Sequence, residues 1–272
     1  MNEPPYKKIA VASAFSPRFE QVLAEAKRVR DRFGAELNLI YVGKKDAQTS
    51  KRFADALAAI GLPADSPIHY HQGSPADAIL EAIKTRGMEL IIAGALEKEV
   101  VLRSFLGNVA RRLVSEAPCS VLLFTKPERT PQPLRHLVFF VPAYSEHAQR
   151  ALLRTLRLAE LENSEKLYVI RVYTSFDAAR AKQKKAGKPA ARTLEEEEAA
   201  LEKFIDAAGS TKVPIEARCI RGNTGFAASN FIQAVEANLL VVPVEKSAHS
   251  DGLPAHISWV TDVIPCNLWI VR

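Results

Sequence analysis

The 272-residue chain is poor in the features that most often declare a function. It has three cysteines, Cys119, Cys219 and Cys266, an odd number with no C-x-x-C pair. That excludes a paired disulfide framework and a zinc knuckle within the chain, and predicts reduced, buried thiols in a cytoplasmic protein. No apolar run approaches the roughly 18 residues that a membrane-spanning helix needs. Met1 to Lys8 is polar, without the apolar core of a secretory signal. A G-x-S-x-G elbow, a P-loop lysine and an H-E-x-x-H pair are all missing, so the common hydrolase, NTPase and metalloprotease signatures do not apply. The histidines cluster weakly: His69 and His71 share one strand face, and His249 and His256 lie beside Asp251. Neither pair has a third ligand at zinc spacing, and both are expected to be ordinary polar histidines.

What is present is ordinary globular composition, 47% hydrophobic and 25% charged, with a formal net charge of +6. A mild positive excess favours anionic contacts such as nucleotides, phosphates or acidic proteins; it does not by itself specify nucleic acid.

Apolar runs alternate with helical periodicity. Ile9–Ala12 reads as a strand. Ser16 is expected to cap a helix, with Pro17 in its first position and Phe19, Val22, Leu23, Ala26, Val29 and Phe33 on its inner face before Gly34. Leu37–Val42 is a second strand, Arg52–Ile60 a helix and Ile68–His71 a third strand. Gly73-Ser74-Pro75 opens a helix, Leu90–Ala93 is a fourth strand, Leu106–Ser115 a helix and Ser120–Phe124 a fifth strand. Such alternation implies a mostly parallel sheet with helices on both faces.

The pattern is then written again. Thr125 to Arg135 holds three prolines and no apolar period, the mark of a linker. Leu137–Val141 matches the first strand, Tyr144-Ser145 matches Phe15-Ser16, and Leu167–Val172 matches Leu37–Val42. Gly73 to Gly94 and Gly222 to Pro243 are both 21 positions apart, and Ala117–Phe124 (APCSVLLF) parallels Ile264–Val271 (IPCNLWIV). Two tandem Rossmann-like α/β domains, each with a five-stranded sheet, are expected at 1–126 and 136–272, with 127–135 as the linker. The second copy carries an insertion, Ala178–Leu194, with six Lys or Arg residues and no acid. It reads as a charge-laced helical extension that Lys188-Pro189 interrupts, or as a handle for an anionic partner.

The segment Gly94–Asn108 carries the most chemistry. A glycine ends a buried strand and a second precedes a helix, at the sheet edge where α/β folds bind ligands. This segment resembles the universal stress protein family, whose motif G-x2-G-x9-G-[S/T] is followed by an "APCPV" strand. Gly94 and Gly107 match its first and third glycines, Val109 fits, and "APCSV" at Ala117 nearly fits. Glu97 stands where the second glycine should be and Asn108 where the hydroxyl should be. The resemblance covers both copies and implies adenine-nucleotide alpha hydrolase-like folds. It also implies a regulatory protein that binds ATP, with Mg, without efficient turnover. Carried over, the family pattern puts Ala12, Ser13 and Ala14 beside adenine and ribose and Val42 against adenine, with Gly94, Gly107, Asn108 and Val109 around ribose and phosphates. The family's strand-end aspartate is replaced by Ala14. Glu97 opposes phosphate, at a cost of about 1–3 kcal/mol for a carboxylate a few ångströms away. In the second copy Ala143, Pro243, Lys246 and His256 occupy the key positions, so no phosphate cradle is expected there.

Weak nucleotide binding in the first copy is thus set against a nucleotide-independent interaction protein. An ATP pyrophosphatase would need a Ser-Gly-Gly-rich loop where Ser13-Ala14-Phe15-Ser16 stands, and a receiver-type phosphoacceptor lacks its strand-end aspartate. Catalysis, nucleic acid and membrane are not expected as this chain's business. The assembly is expected to be a monomer with its domains paired internally, or a homodimer extended through an exposed edge at Leu268–Val271.

Overall fold

A computed structural model describes residues 5–100, 103–182, 192–245, 252–254, 256–262 and 264–272, with backbone alone at 96–100, 103–105 and 182. The first half runs β1 (Lys8–Ser13), α1 (Phe19–Phe33), β2 (Glu36–Val42), α2 (Ala47–Ile60), β3 (Ile68–His71), α3 (Pro75–Arg86), β4 (Leu90–Gly94), β5 (Leu96–Val100), β6 (Arg103–Leu106), α4 (Asn108–Glu116) and β7 (Ser120–Phe124). The second half runs β8 (His136–Phe140), α5 (Glu146–Glu162), β9 (Lys166–Tyr173), α6 (Ser175–Lys182), α7 (Leu194–Asp206), β10 (Ile215–Arg221), α8 (Thr224–Ala234), β11 (Leu239–Pro243), a 3-10 turn at Ser258–Thr261, and β12 (Asn267–Val271).

Five parallel strands per half follow one order, β3-β2-β1-β4-β7 and β10-β9-β8-β11-β12. The halves join edge to edge, because β12 pairs antiparallel with β7 through Leu268↔Leu123, Trp269↔Leu122 and Ile270↔Val121. The result is one ten-stranded sheet. The last strand is therefore not the free edge that its sequence suggested: its open side is taken by β7 of the same chain. Side chains of β7 alternate between two cores. Leu122 and Phe124 join one with Trp269, α1 and α5, while Val121 and Leu123 join the other with Leu268 and Ile270. Burial on both faces is what continuous apolar runs encode.

Local differences from the sequence reading have local causes. Helix α1 starts at Phe19 with Arg18 at its N-cap position, so Ser16 and Pro17 form a turn instead of a cap. Helix α2 begins at Ala47, earlier than Arg52, because Asp46 and Thr49 form a reciprocal capping box; the polar first turn conceals it from apolar periodicity. The helix expected from Leu106 begins only at Asn108, and Leu106 instead ends a strand, Arg103–Leu106. That strand pairs antiparallel with β5, so the stretch after Gly94 is a hairpin. In the second half Ser145 does cap α5, accepting from the Ala148 N–H at 3.2 Å. The basic insertion is bracketed by α6 and α7, and Lys188-Pro189 lies outside the described residues. Cys119 and Cys266 are buried as expected, but Cys219 on the edge strand β10 is only half-buried.

Polar groups pin the seam. The Tyr6 hydroxyl donates to Ser120 Oγ at 2.8 Å, and the Arg272 N–H donates to the same oxygen at 3.0 Å. The Thr125 N–H donates to Asn267 Oδ1 at 2.9 Å. Between α1 and α5, Arg28 donates to Glu162 at 3.0 Å and to the Gln132 carbonyl at 2.8 Å, and Arg32 donates to Glu162 at 3.2 Å. Arg28 also pairs with Glu25 at 2.9 Å. Burial pushes the Glu25 carboxyl from its ordinary 4.5 up to about 7, despite the nearby Arg28.

A carboxyl with a raised folded-state pKa destabilises the fold when charged. The stability that its protonated form permits is intact below pH 4.5 and is lost as pH rises to about 7. Glu25→Gln should leave stability nearly unchanged at acidic pH and raise it by on the order of 1–3 kcal/mol at pH 8. Urea unfolding of both proteins across that window reads the difference; identical pH profiles would show that Glu25 titrates normally.

Candidate functional site

The carboxyl ends of β1 and β4 diverge, because the chain leaves β1 toward β2 on one side and enters β4 on the other. A cavity of about 700 Å³ opens in this crevice. Ala12 and Ser13 floor it from β1, Ala14–Arg18 form its near rim, and Tyr41 and Val42 wall it from β2. Ala93, Gly94 and Ala95 follow β4, Val109 and Ala110 stand in the first turn of α4, and Phe124 and Pro127 close the back. Six of the eight sequence candidates line it: Ala12, Ser13, Ala14, Val42, Gly94 and Val109.

Gly107 and Asn108 are placed differently. Gly107 is buried as the N-cap residue of α4, with φ −60°, so it needs no left-handed backbone. Its N–H donates to the Ala95 carbonyl at 3.1 Å and ties off the base of the β5–β6 hairpin. That donor is engaged inside the fold. Asn108 is exposed at the first position of α4. Gly94 does serve close approach: a Cβ there would stand 3.2 Å from Val22 Cγ2. The Glu97 side chain lies outside the described residues.

The aromatic wall escaped the sequence reading. Phe15 packs on Phe53 at 4.7 Å, Tyr41 at 5.1 Å and Phe19 at 5.3 Å between ring centroids, and the Arg52 guanidinium sits 3.9 Å over its ring. Phe15, Phe19 and Tyr41 all line the cavity. Phe15 stands inside the segment Ala14-Phe15-Ser16 that the sequence had singled out, and Tyr41 immediately precedes Val42. Their convergence depends on α2, which supplies Phe53 and Arg52 from outside the motif. Among the described lining residues there is no carboxylate, histidine or cysteine. The site offers a flat aromatic wall, an apolar floor, the hydroxyls of Ser13 and Ser16, the Arg18 guanidinium and the N-terminal turn of α4.

The matching place in the second half is filled. In the repeat alignment Arg171 of β9 falls on Tyr41, and its guanidinium donates to the Val141 carbonyl at 3.0 Å and to the Pro142 carbonyl. Arg171 Nε pairs with buried Glu197 at 2.9 Å, and Arg192 approaches the other Glu197 oxygen at 3.4 Å. The Tyr144 ring lies near both arginines, at 5.6 and 5.2 Å. Pro243 is buried at the end of β11. Trp259 packs on Phe140 at 5.7 Å, from a four-residue 3-10 turn that stands where the first half has α4. His256 is exposed, and Lys246, His249 and Asp251 lie outside the described residues. His69 bonds Asn38 Oδ1 at 2.8 Å, and no group of three metal-ligating side chains occurs among the described residues.

Arg171→Met should leave Glu197 charged and poorly compensated, lowering stability by on the order of 2–4 kcal/mol. Adding Glu197→Gln should restore a large part of that loss. Denaturant unfolding of the double-mutant cycle measures the coupling; additive losses would mean that the pair does not act as a unit.

Comparison with known proteins follows the same lines. The profile of the universal stress protein family matches residues 44–125. A universal stress protein of Thermus aquaticus, described as lying in the QAH/OAS sulfhydrylase 3′ region, is 30% identical over 135 residues, 43% of this chain and 98% of the relative. One from Methanocaldococcus jannaschii is 26% identical over 155 residues, 46% of this chain and 85% of the relative. The crystal structure of a universal stress protein from Archaeoglobus fulgidus superposes with a TM-score of 0.69 at 13% identity, covering 100% of this chain and 99% of that one. That likeness extends to the fold of both halves.

Proposed function

Because this chain belongs to the universal stress protein family, we propose that it is a regulatory protein of the stress response whose first half binds an adenine-type ligand and whose second half does not. The observation that carries the reading is the cavity at the β1–β4 divergence, apolar at its floor and aromatic along one wall. A flat base fits such a slot by stacking and dispersion, worth roughly 1–3 kcal/mol per stacked base. The N-terminal turn of α4, where Val109 and Ala110 line the cavity, faces a bound ligand with backbone donors and suits a phosphate.

The residues present fit the base better than they fit a metal-bound triphosphate. Mg²⁺ takes carboxylate and phosphate oxygens, and the described lining supplies no carboxylate. Ala14 also leaves a ribose hydroxyl without an acidic acceptor. Affinity is therefore expected to be modest and little dependent on Mg²⁺. With no general base among those lining residues, binding without rapid turnover is the natural behaviour of the site.

A second reading, in which the chain works through its surface alone, is favoured by the engaged Gly107 N–H. Under either reading the β7–β12 pairing consumes the edge that a second chain would use, which points to a monomer. No helix among the described residues is long and apolar enough to cross a membrane.

Calorimetry and thermal melts with adenosine, AMP, ADP and ATP, with and without Mg²⁺, test the proposal. Ligand at about 100 times its dissociation constant should add about 2.7 kcal/mol of stability. Val42→Trp should fill the slot and abolish the shift. Ala14→Asp, at an exposed position, should tighten ribose-bearing ligands by about tenfold. A flat response from both wild type and Ala14→Asp at millimolar ligand would sink the nucleotide reading and leave the surface one.

A further inference from the structure

Three helices of the first half end in the same way. Helices α1, α2 and α3 stop at Gly34, Gly61 and Gly87, each in the left-handed conformation, and each glycine N–H closes back on the last turn. Helix α4 ends differently. Its C-cap residue is Ala117, at φ −58° and ψ 134°, an extended backbone whose N–H reaches the Leu113 carbonyl. That geometry provides no left-handed closure for the carbonyls of Val114 and Ser115, which the last turn leaves over.

Arg272, the residue after β12, takes them from the other half of the chain. Its Nη2 donates to the Val114 carbonyl at 2.5 Å and to the Ser115 carbonyl at 3.3 Å, and its Nη1 donates to the Cys119 carbonyl at 3.4 Å. The Arg272 backbone is itself fixed, because its N–H sits on Ser120 Oγ at the start of β7. A guanidinium in this place also meets the negative end of the helix dipole. The second half therefore finishes a helix of the first.

The helix concerned is the one that walls the first cavity, through Val109 and Ala110 in its first turn. It has nine residues, too few to hold a helix by propensity alone, and Gly107 at its N-cap contributes no side-chain bond. Ala110, Leu113 and Val114 seat one face of α4 in the core. The lateral tie to α3, Arg112 to Asp77 at 2.7 Å, is exposed and adds little. How far α4 can tilt or fray on its apolar face then depends on its ends. Its first turn lies only about 14 Å from the last, along a rod that moves as a unit.

We infer that Arg272 is a positioning residue for the first-half cavity: the second half, whose own matching place is filled, holds α4 where the ligand of the first half needs it. The consequence for ligands rests on the nucleotide reading of that cavity. The consequence for α4 does not.

The test compares Arg272→Ala and Arg272→Lys with the wild-type chain. Arg32→Ala serves as control, since it removes a bond between the halves on the α1 and α5 face of the sheet, opposite α4. Hydrogen exchange is read first, without ligand. Arg272→Ala should speed exchange of the Arg111–Ala117 amides by about tenfold, the scale of one lost charge-assisted hydrogen bond, and leave α1 and α3 at their wild-type rates. Arg272→Lys should recover part of this, because an ammonium is a point charge without the planar fork. Arg32→Ala should leave α4 unchanged. Calorimetry then compares AMP with adenosine. AMP should bind Arg272→Ala about fivefold more weakly, while adenosine changes by less than about twofold, because the phosphate faces α4 and the base does not. A general loosening of the fold would weaken both alike. Unchanged α4 exchange in Arg272→Ala, acceleration spread evenly along the chain, or equal losses of AMP and adenosine would overturn the inference. Absence of AMP binding to the wild type would instead sink the nucleotide reading, and the exchange of α4 would still decide whether Arg272 holds the helix.

Discussion

The pairing of β7 with β12 is the contact on which the rest of this molecule depends. A five-stranded parallel sheet with helices on both faces still has two open edges, and an open edge invites uncontrolled pairing. Here the inner edges close on each other, so each half covers the other's unpaired backbone. The strand sequences at the seam are apolar on both faces, since Leu122 and Trp269 enter one core and Val121 and Ile270 the other. Two cores that would be separate in isolated domains become continuous across the junction. The Arg28–Glu162 cluster and the Ser120 and Asn267 bonds then fix the register of a contact that hydrophobicity alone would leave free to slide.

Once joined, the halves no longer need the same interior. The two strands β2 and β9 show this at one position. Tyr41 lies along the wall of an open cavity, while Arg171 reaches across the corresponding space and bonds the strand-end carbonyls. A guanidinium there demands a buried partner, which α7 supplies as Glu197, and Arg192 adds a second cation. The cluster does structurally what a ligand would do in an open site: it satisfies polar groups at the carboxyl end of the sheet. The second half thereby holds an internal brace where the first half has an open cavity, and its own concavity lies farther out, at the ends of β9 and β10.

Much of the architecture was legible because burial on both faces of a parallel sheet leaves uninterrupted apolar runs. The repeat spacing from Gly73 to Gly94 and from Gly222 to Pro243 exposed the duplication, and Ser145 announced its helix. Six lining residues of the first cavity were likewise readable from the family pattern. What escaped depended on groups distant in sequence. Ser16-Pro17 has the composition of a helix start, yet its backbone turns once more before α1. The hairpin β5–β6 hides between two glycines that suggested a loop. Arg171 looks in sequence like one charge in an apolar strand, and only the folded contacts with Val141, Pro142 and Glu197 reveal it as a plug.

The antiparallel seam has a geometric consequence. Within each half the strands run parallel, so a junction that reverses direction turns the carboxyl ends of one half away from those of the other. The cavity at the β1–β4 divergence and the hollow at the ends of β9 and β10 therefore open toward opposite margins of the ten-stranded sheet. A molecule held at one margin leaves the other unobstructed. Each half therefore presents its functional margin away from the other, and a change confined to one margin leaves the other's surroundings untouched.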